Sequence, residues 1–127
     1  MTPGTHGSTF GGNPLAMAAA AAVLEVLTED GFMQDVRERA AYLDSALKNL
    51  QSAFPAAISE IRGLGFLRGI CLAKGVDLTA LVSALRSEHV LCVPAAENTL
   101  RLLPPLIISC EEIDILMAAL YRQLGTA

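Results

Sequence analysis

The chain has 127 residues, enough for one domain with a real core, since a chain of this size buries roughly two-thirds of its unfolded surface. It is 53% hydrophobic and 17% charged with net charge −4, and its scattered basic residues form no patch of the kind nucleic-acid binding needs. The mean hydropathy of +0.47 is owed largely to alanine, and the longest apolar run, Leu15 to Leu24, is about half of the roughly twenty residues of a membrane span.

The opening segment is the glycine-rich "GTHGSTFGGNP", Gly4 to Pro14. Asn13-Pro14 reads as an N-cap followed by proline at the first helical position. The pattern therefore predicts a helix through "LAMAAAAAVLEVL" that ends near Gly31. No basic region or small-residue cleavage site precedes this run, so a signal peptide is not expected. A second helix is predicted over Phe32 to Ala53, with Val36, Ala40, Leu43, Leu47 and Leu50 on one stripe. Arg37, Glu38, Asp44 and Lys48 fall off that stripe.

From Ile58 the period changes. "ISEIR" and "FLRGICL" are strand-like runs parted by Gly63-Leu64-Gly65, which predicts a tight turn and an antiparallel pair. Asp77 is placed to cap a helix whose core face is Leu78, Leu81, Val82 and Leu85. "VLCVP" reads as a strand, "AAEN" as a turn and "TLRLL" as a further strand stopped by Pro104-Pro105. Ser109-x-x-Glu112 is a capping-box pattern before a last helix with Ile113, Leu116, Met117, Leu120 and Leu124 inward. The second half is thus β-β-α-β-β-α, an α+β unit with a mostly antiparallel sheet. The two helices before it have little of their own to pack against, and the surplus of apolar residues suggests surface that another chain covers.

Cys71, Cys92 and Cys110 are odd in number, far apart and flanked by apolar residues. Buried free thiols in a reducing cytoplasm are expected, rather than a disulfide or a metal site. Two features could carry chemistry. In the opening segment, Ser8 and Thr9 bring hydroxyls, Gly11 and Gly12 permit close backbone approach, and the following helix points its positive end back at them. That combination suits a phosphate, although on the residues alone a plain structural turn is favoured. In "NTLRLLPPL", Arg101 alternates with apolar neighbours. It either faces solvent, the favoured reading by spacing, or enters a pocket as a bidentate carboxylate binder. Arg62 and Arg68 flank the Gly63–Gly65 turn, where surface ion pairing is the default.

These residues carry a family resemblance. "TPGTHGSTFGGNPLA" resembles the signature of class III pyridoxal-phosphate aminotransferases, with the acetylornithine type nearest and the ornithine, succinylornithine and 4-aminobutyrate types beside it. "IRGLGFLRGI" resembles the segment opening that family's small C-terminal domain, and "VPAAENTLRLLPPLIIS" the stretch near its end. The resemblance implies the C-terminal part of a fold type I pyridoxal-phosphate transferase. It divides the chain into 1–31, the end of the large cofactor domain; 32–55, a linking helix; and 56–127, the small α+β domain.

It further implies a cytoplasmic homodimer in which Thr9, with Ser8 beside it, binds the cofactor phosphate held by the neighbouring subunit. Arg101 would bind the carboxylate of amino-acid and 2-oxo-acid substrates, with no nucleic acid or membrane involved. The family's Schiff-base lysine precedes the first motif. Lys48 and Lys74, the only lysines in the sequence, lack its surroundings, so no catalytic residue is expected here. Two expectations follow: a C-terminal fragment, inactive alone, whose Met1 stands where the family continues; or a non-catalytic truncated or split-gene product that serves as an assembly module.

Overall fold

The computed structural model describes Thr2 and residues 7–125, and the chain forms two compact units that divide between Asp35 and Val36. In the first unit, Asn13 caps helix α1 (Pro14–Leu27). Its side-chain oxygen accepts from Ala16 N at 2.9 Å while its amide donates to Phe10 O at 2.7 Å. The helix closes at Leu27, short of Gly31, and at its C-cap the Thr28 hydroxyl donates to Leu24 O at 2.8 Å. No residue of α1 is buried. Helix α2 (Phe32–Ala53) begins in the first unit and runs into the second.

The second unit is the α+β part. Along α2 the buried residues are Val36, Ala40, Leu43, Leu47 and Leu50, the predicted stripe. Strands β1 (Ile58–Leu64) and β2 (Leu67–Leu72) form an antiparallel hairpin. Its register pairs Leu64 with Leu67, so the turn falls on Gly65-Phe66 rather than on Gly63–Gly65. Phe66 is buried, and burying its ring outweighs the ordinary preference of turns for polar residues.

Asp77 caps α3 (Leu78–Ser87), accepting from Thr79 N and Ala80 N, and the buried face of that helix narrows to Leu81 and Leu85. Strand β3 is only Val93–Ala95, shorter than the run from Val90. Val90 N instead bonds Leu85 O, closing the end of α3. Strand β4 (Thr99–Leu102) follows, then α4 (Cys110–Leu124) with both halves of the Ser109/Glu112 capping box formed.

The sheet has order β1-β2-β4-β3 and every pairing is antiparallel. One face carries Ile58, Ile70, Leu72, Leu100 and Leu102, all buried, and the inward residues of α2, α3 and α4 are buried with them. Each such aliphatic side chain contributes roughly 1.5–3 kcal/mol by leaving water. Side-chain bonds set the helices against each other and the sheet. Tyr42 of α2 donates to Asp114 of α4 at 2.6 Å, and Gln51 donates to Ser59 O of β1 at 3.2 Å. Arg122 and Gln123 of α4 both hold Glu88 beyond α3. Of the cysteines, all free, Cys71 is buried while Cys92 and Cys110 are half-buried, short of the full burial expected. Burial pushes the Cys92 thiol up to about 11.

Candidate functional site

Strand alternation sends every second side chain of the sheet to the face opposite the core. On that face the register lines up Arg62 of β1, Gly69 of β2, Arg101 of β4 and Val93 of β3 in one cross-strand row. The neighbouring row is Glu60, Cys71, Thr99 and Ala95. A cleft of about 200 Å³ opens here, lined by Arg62, Gly69, Thr99 and Arg101 among others. Arg101 therefore lines a cleft and is also solvent-exposed. Its guanidinium makes no hydrogen bond or ion pair to another described residue, and no lysine lines the cleft.

Arg62 is engaged. It donates to Glu97 at 3.1 Å and to the Thr99 hydroxyl at 3.2 Å, and the Glu97 carboxylate holds its pKa above the ordinary value. Glu97 and Asn98 lie in the β3–β4 turn with φ of 59° and 52°. The Asn98 amide ties that turn to the loop after β2, donating to Ala73 O and Val76 O. The surface ion pair expected of Arg62 is present. Arg68 is different, because its side chain is only 11% exposed and pairs with Asp44 of α2 at 2.8 Å. It also donates to Gly65 O and Gly63 O, so it braces the hairpin from the core side. Lys48 first, and then Arg68, hold the Asp44 carboxyl below its ordinary value.

Ser8 and Thr9 belong to the first unit and are exposed, with neither hydroxyl engaged by another described residue. A Cβ on Gly11 would stand 2.9 Å from Ser8 Cβ and 3.0 Å from its Oγ, so the chain folds Ser8 into the space that glycine leaves. The end of α1 adds less than the sequence suggested. Pro14 has no N–H, Ala16 N is taken by Asn13 and Met17 N bonds Asn13 O, which leaves Leu15 N as the spare donor of the first turn. The part of the motif at residues 3–6 lies outside the described residues.

Local pattern missed Gly69 and Thr99 as neighbours of Arg101, and Glu97 as the partner of Arg62. The pairing of β2 with β4 that sets Gly69 opposite the arginine joins strands far apart in sequence, so no local signal carried it.

The family model for class-III aminotransferases matches residues 1–124. The chain belongs to that family. Among curated proteins, acetylornithine aminotransferase of Brucella melitensis biotype 1 is 50% identical over 113 residues, 88% of this chain and 27% of the relative. That of Mesorhizobium japonicum is 47% identical over 113 residues, 89% and 28%. Among solved structures, lysine aminotransferase from M. tuberculosis, in its internal aldimine form, matches with TM-score 0.88 at 33% identity, covering 98% of this chain and 29% of that one. Acetylornithine aminotransferase from Elizabethkingia anophelis matches with TM-score 0.84 at 30% identity, covering 100% and 34%. The chain thus spans little more than a quarter of the length of those curated relatives. No described helix is long and apolar enough to cross a membrane, and the described residues hold no cluster of three or more side chains fit for a metal.

Proposed function

We propose that the chain is the C-terminal portion of an acetylornithine-type aminotransferase that depends on pyridoxal phosphate. The observation that carries the reading is the family match running from the Ser8-Thr9 motif through Arg101 to residue 124. The whole enzyme would be a cytoplasmic homodimer of arginine biosynthesis that moves an amino group from N-acetylornithine to 2-oxoglutarate. Its segments here would be 1–31 from the large domain, 32–55 as linking helix and 56–127 as the small domain.

The residues present fit the cofactor's phosphate. Two exposed hydroxyls without a described partner precede a glycine that leaves room for Ser8, and small donors of this kind suit a phosphate oxygen. Thr9, with Ser8 beside it, would hold the phosphate of cofactor bound mainly by the other subunit. When bound, pyridoxal phosphate supplies an electron sink for the carbon that carries the amino group. Arg101, exposed and with no described ion partner, would take a substrate carboxylate through a charge-assisted pair. The Schiff-base lysine would come from the upstream portion, so the chain alone is inactive.

The test uses the complete enzyme that carries this chain. Arg101→Ala raises KM for the carboxylate substrates about 10- to 100-fold, the worth of one charge-assisted bond. Thr9→Ala weakens cofactor affinity roughly tenfold and leaves kcat at saturating cofactor nearly unchanged. An Arg101→Ala enzyme with unaltered KM would sink the carboxylate assignment, and amino transfer by the chain alone would sink the claim of inactivity.

A further inference from the structure

The open face of the sheet holds two guanidiniums in one row, and they are treated differently by the fold. Arg62 and Arg101 both face Gly69 of the strand between them. Two strand spacings put their backbones about 10 Å apart. Gly69 is what lets the Arg62 side chain lie down across β2. A Cβ there would meet Arg62 Cγ at 3.3 Å and Thr99 Cγ2 at 3.0 Å. The Arg62 guanidinium thereby crosses toward β4, where Thr99 accepts from it. Thr99 is two residues from Arg101 on the same face of the same strand, so Arg62 delivers its charge toward the foot of Arg101.

Glu97 is the counterweight. Its carboxylate takes the other nitrogen of Arg62, and it is placed to do so by the left-handed turn that Asn98 pins to the β2–α3 loop. The Arg62–Glu97 pair is 44% and 75% exposed. Pairs so open to water are weak, which makes Glu97 a modulator of the cleft's field rather than a rigid strut.

We infer that Arg62 is a positioning and specificity residue for carboxylate recognition at Arg101. It supplies a second positive charge to the cleft floor, and Glu97 attenuates that charge. The assignment rests on the reading of Arg101 as the carboxylate binder. The cleft then favours a ligand with two carboxylates over one with a single carboxylate, because the second positive charge has something to attract. Arg62 itself need not touch the ligand. At separations of about 9 Å in solvent-screened surroundings, one charge changes carboxylate affinity roughly threefold.

The sign of two substitutions tests this. The isotopically labelled chain is titrated with glutarate and with butyrate, and arginine side-chain and backbone resonances are followed by NMR. Glu97→Gln lowers the Kd for glutarate about threefold, and Arg62→Ala raises it about threefold. Arg62→Lys keeps the charge and recovers most of the loss. The differences shrink for butyrate, and collapse in molar salt where screening acts within a few ångströms. A merely structural role for the Arg62–Glu97 pair moves both variants in the same direction and is not rescued by lysine, and that result overturns the proposal. So does a Kd unmoved by either variant while Arg101→Ala abolishes binding. Glutarate binding that survives Arg101→Ala, or no shift at Arg101 in the unaltered chain at tens of millimolar glutarate, overturns the Arg101 reading and this inference with it.

Discussion

Two glycines separated by a single residue, Gly63 and Gly65, show how one-letter similarity hides different physical demands. Both have positive φ, at 116° and 59°. Around Gly65 no atom lies within 4 Å of where a Cβ would be, whereas at Gly63 that Cβ would stand 2.1 Å from Leu67 O across the hairpin. Gly65 is thus needed only for its left-handed backbone, a region other residues enter at a cost of about 1 kcal/mol. Gly63 is needed for both its backbone and its missing side chain. Gly65→Ala is expected to destabilise the chain by about 1 kcal/mol and Gly63→Ala by about 3 kcal/mol or more, with broken β1–β2 pairing. Urea unfolding of the two variants measures this, and equal losses would contradict it. The sequence made a glycine turn legible here, but which glycine faces the crowded strand depends on register, and local composition does not encode register.

Helix α2 and the β1–β2 hairpin are joined by the Arg68–Asp44 bridge, with Arg68 also bonded to Gly63 O and Gly65 O. Periodicity placed Asp44 off the apolar stripe, which is correct, but named no partner for it. Its partner lies on a strand of different period, so no local pattern could link the two. The bridge has a pH signature. Hydrogen bonding from Lys48, and after it the charge of Arg68, lower the Asp44 carboxyl below its ordinary 3.8 in the folded chain. A carboxyl lowered on folding stabilises the fold fully above its unfolded value, and that contribution is lost as pH falls through the lowered folded value. Asp44→Asn should therefore lower Tm at pH 6 and cost roughly 1–3 kcal/mol, since it leaves a mostly buried guanidinium with carbonyls alone. The gap from the unaltered chain should close below pH 3.8. A gap that stayed constant down to pH 2, by thermal melts in matched ionic strength, would mean the carboxylate charge is not what the bridge uses.

Across the whole chain, what could be read locally was read well. Caps at Asn13, Asp77 and Ser109, and the stripes of α2 and α4, arise from interactions within four residues along a helix, and the structure has each of them. The cross-strand row at Arg101 arises from partners far apart in sequence. The sequence left two helices with little of their own to pack against; α2 departs from that, because its stripe is buried within the second unit, whereas α1 keeps to it. In the structure the helix forms and buries nothing: Leu15, Met17, Val23 and Leu24 are 80%, 58%, 57% and 59% exposed. A helix of this length without a packed face is marginal in water, since packing rather than propensity supplies most helical stability in proteins. By contrast α2 and α4 bury full stripes. Native-state hydrogen exchange on the chain should thus be uneven. The amides of α1 from Leu15 onward should be slowed less than about tenfold relative to a random chain, while the centres of α2 and α4 are slowed by about a thousandfold or more. In the complete enzyme proposed above, where α1 would join the rest of a large domain, the same α1 amides should rise to the protection of α2. Strong protection of α1 in the chain alone would mean that its apolar surface already has cover, such as a second copy, and protection that varied with chain concentration would identify that cover as self-association.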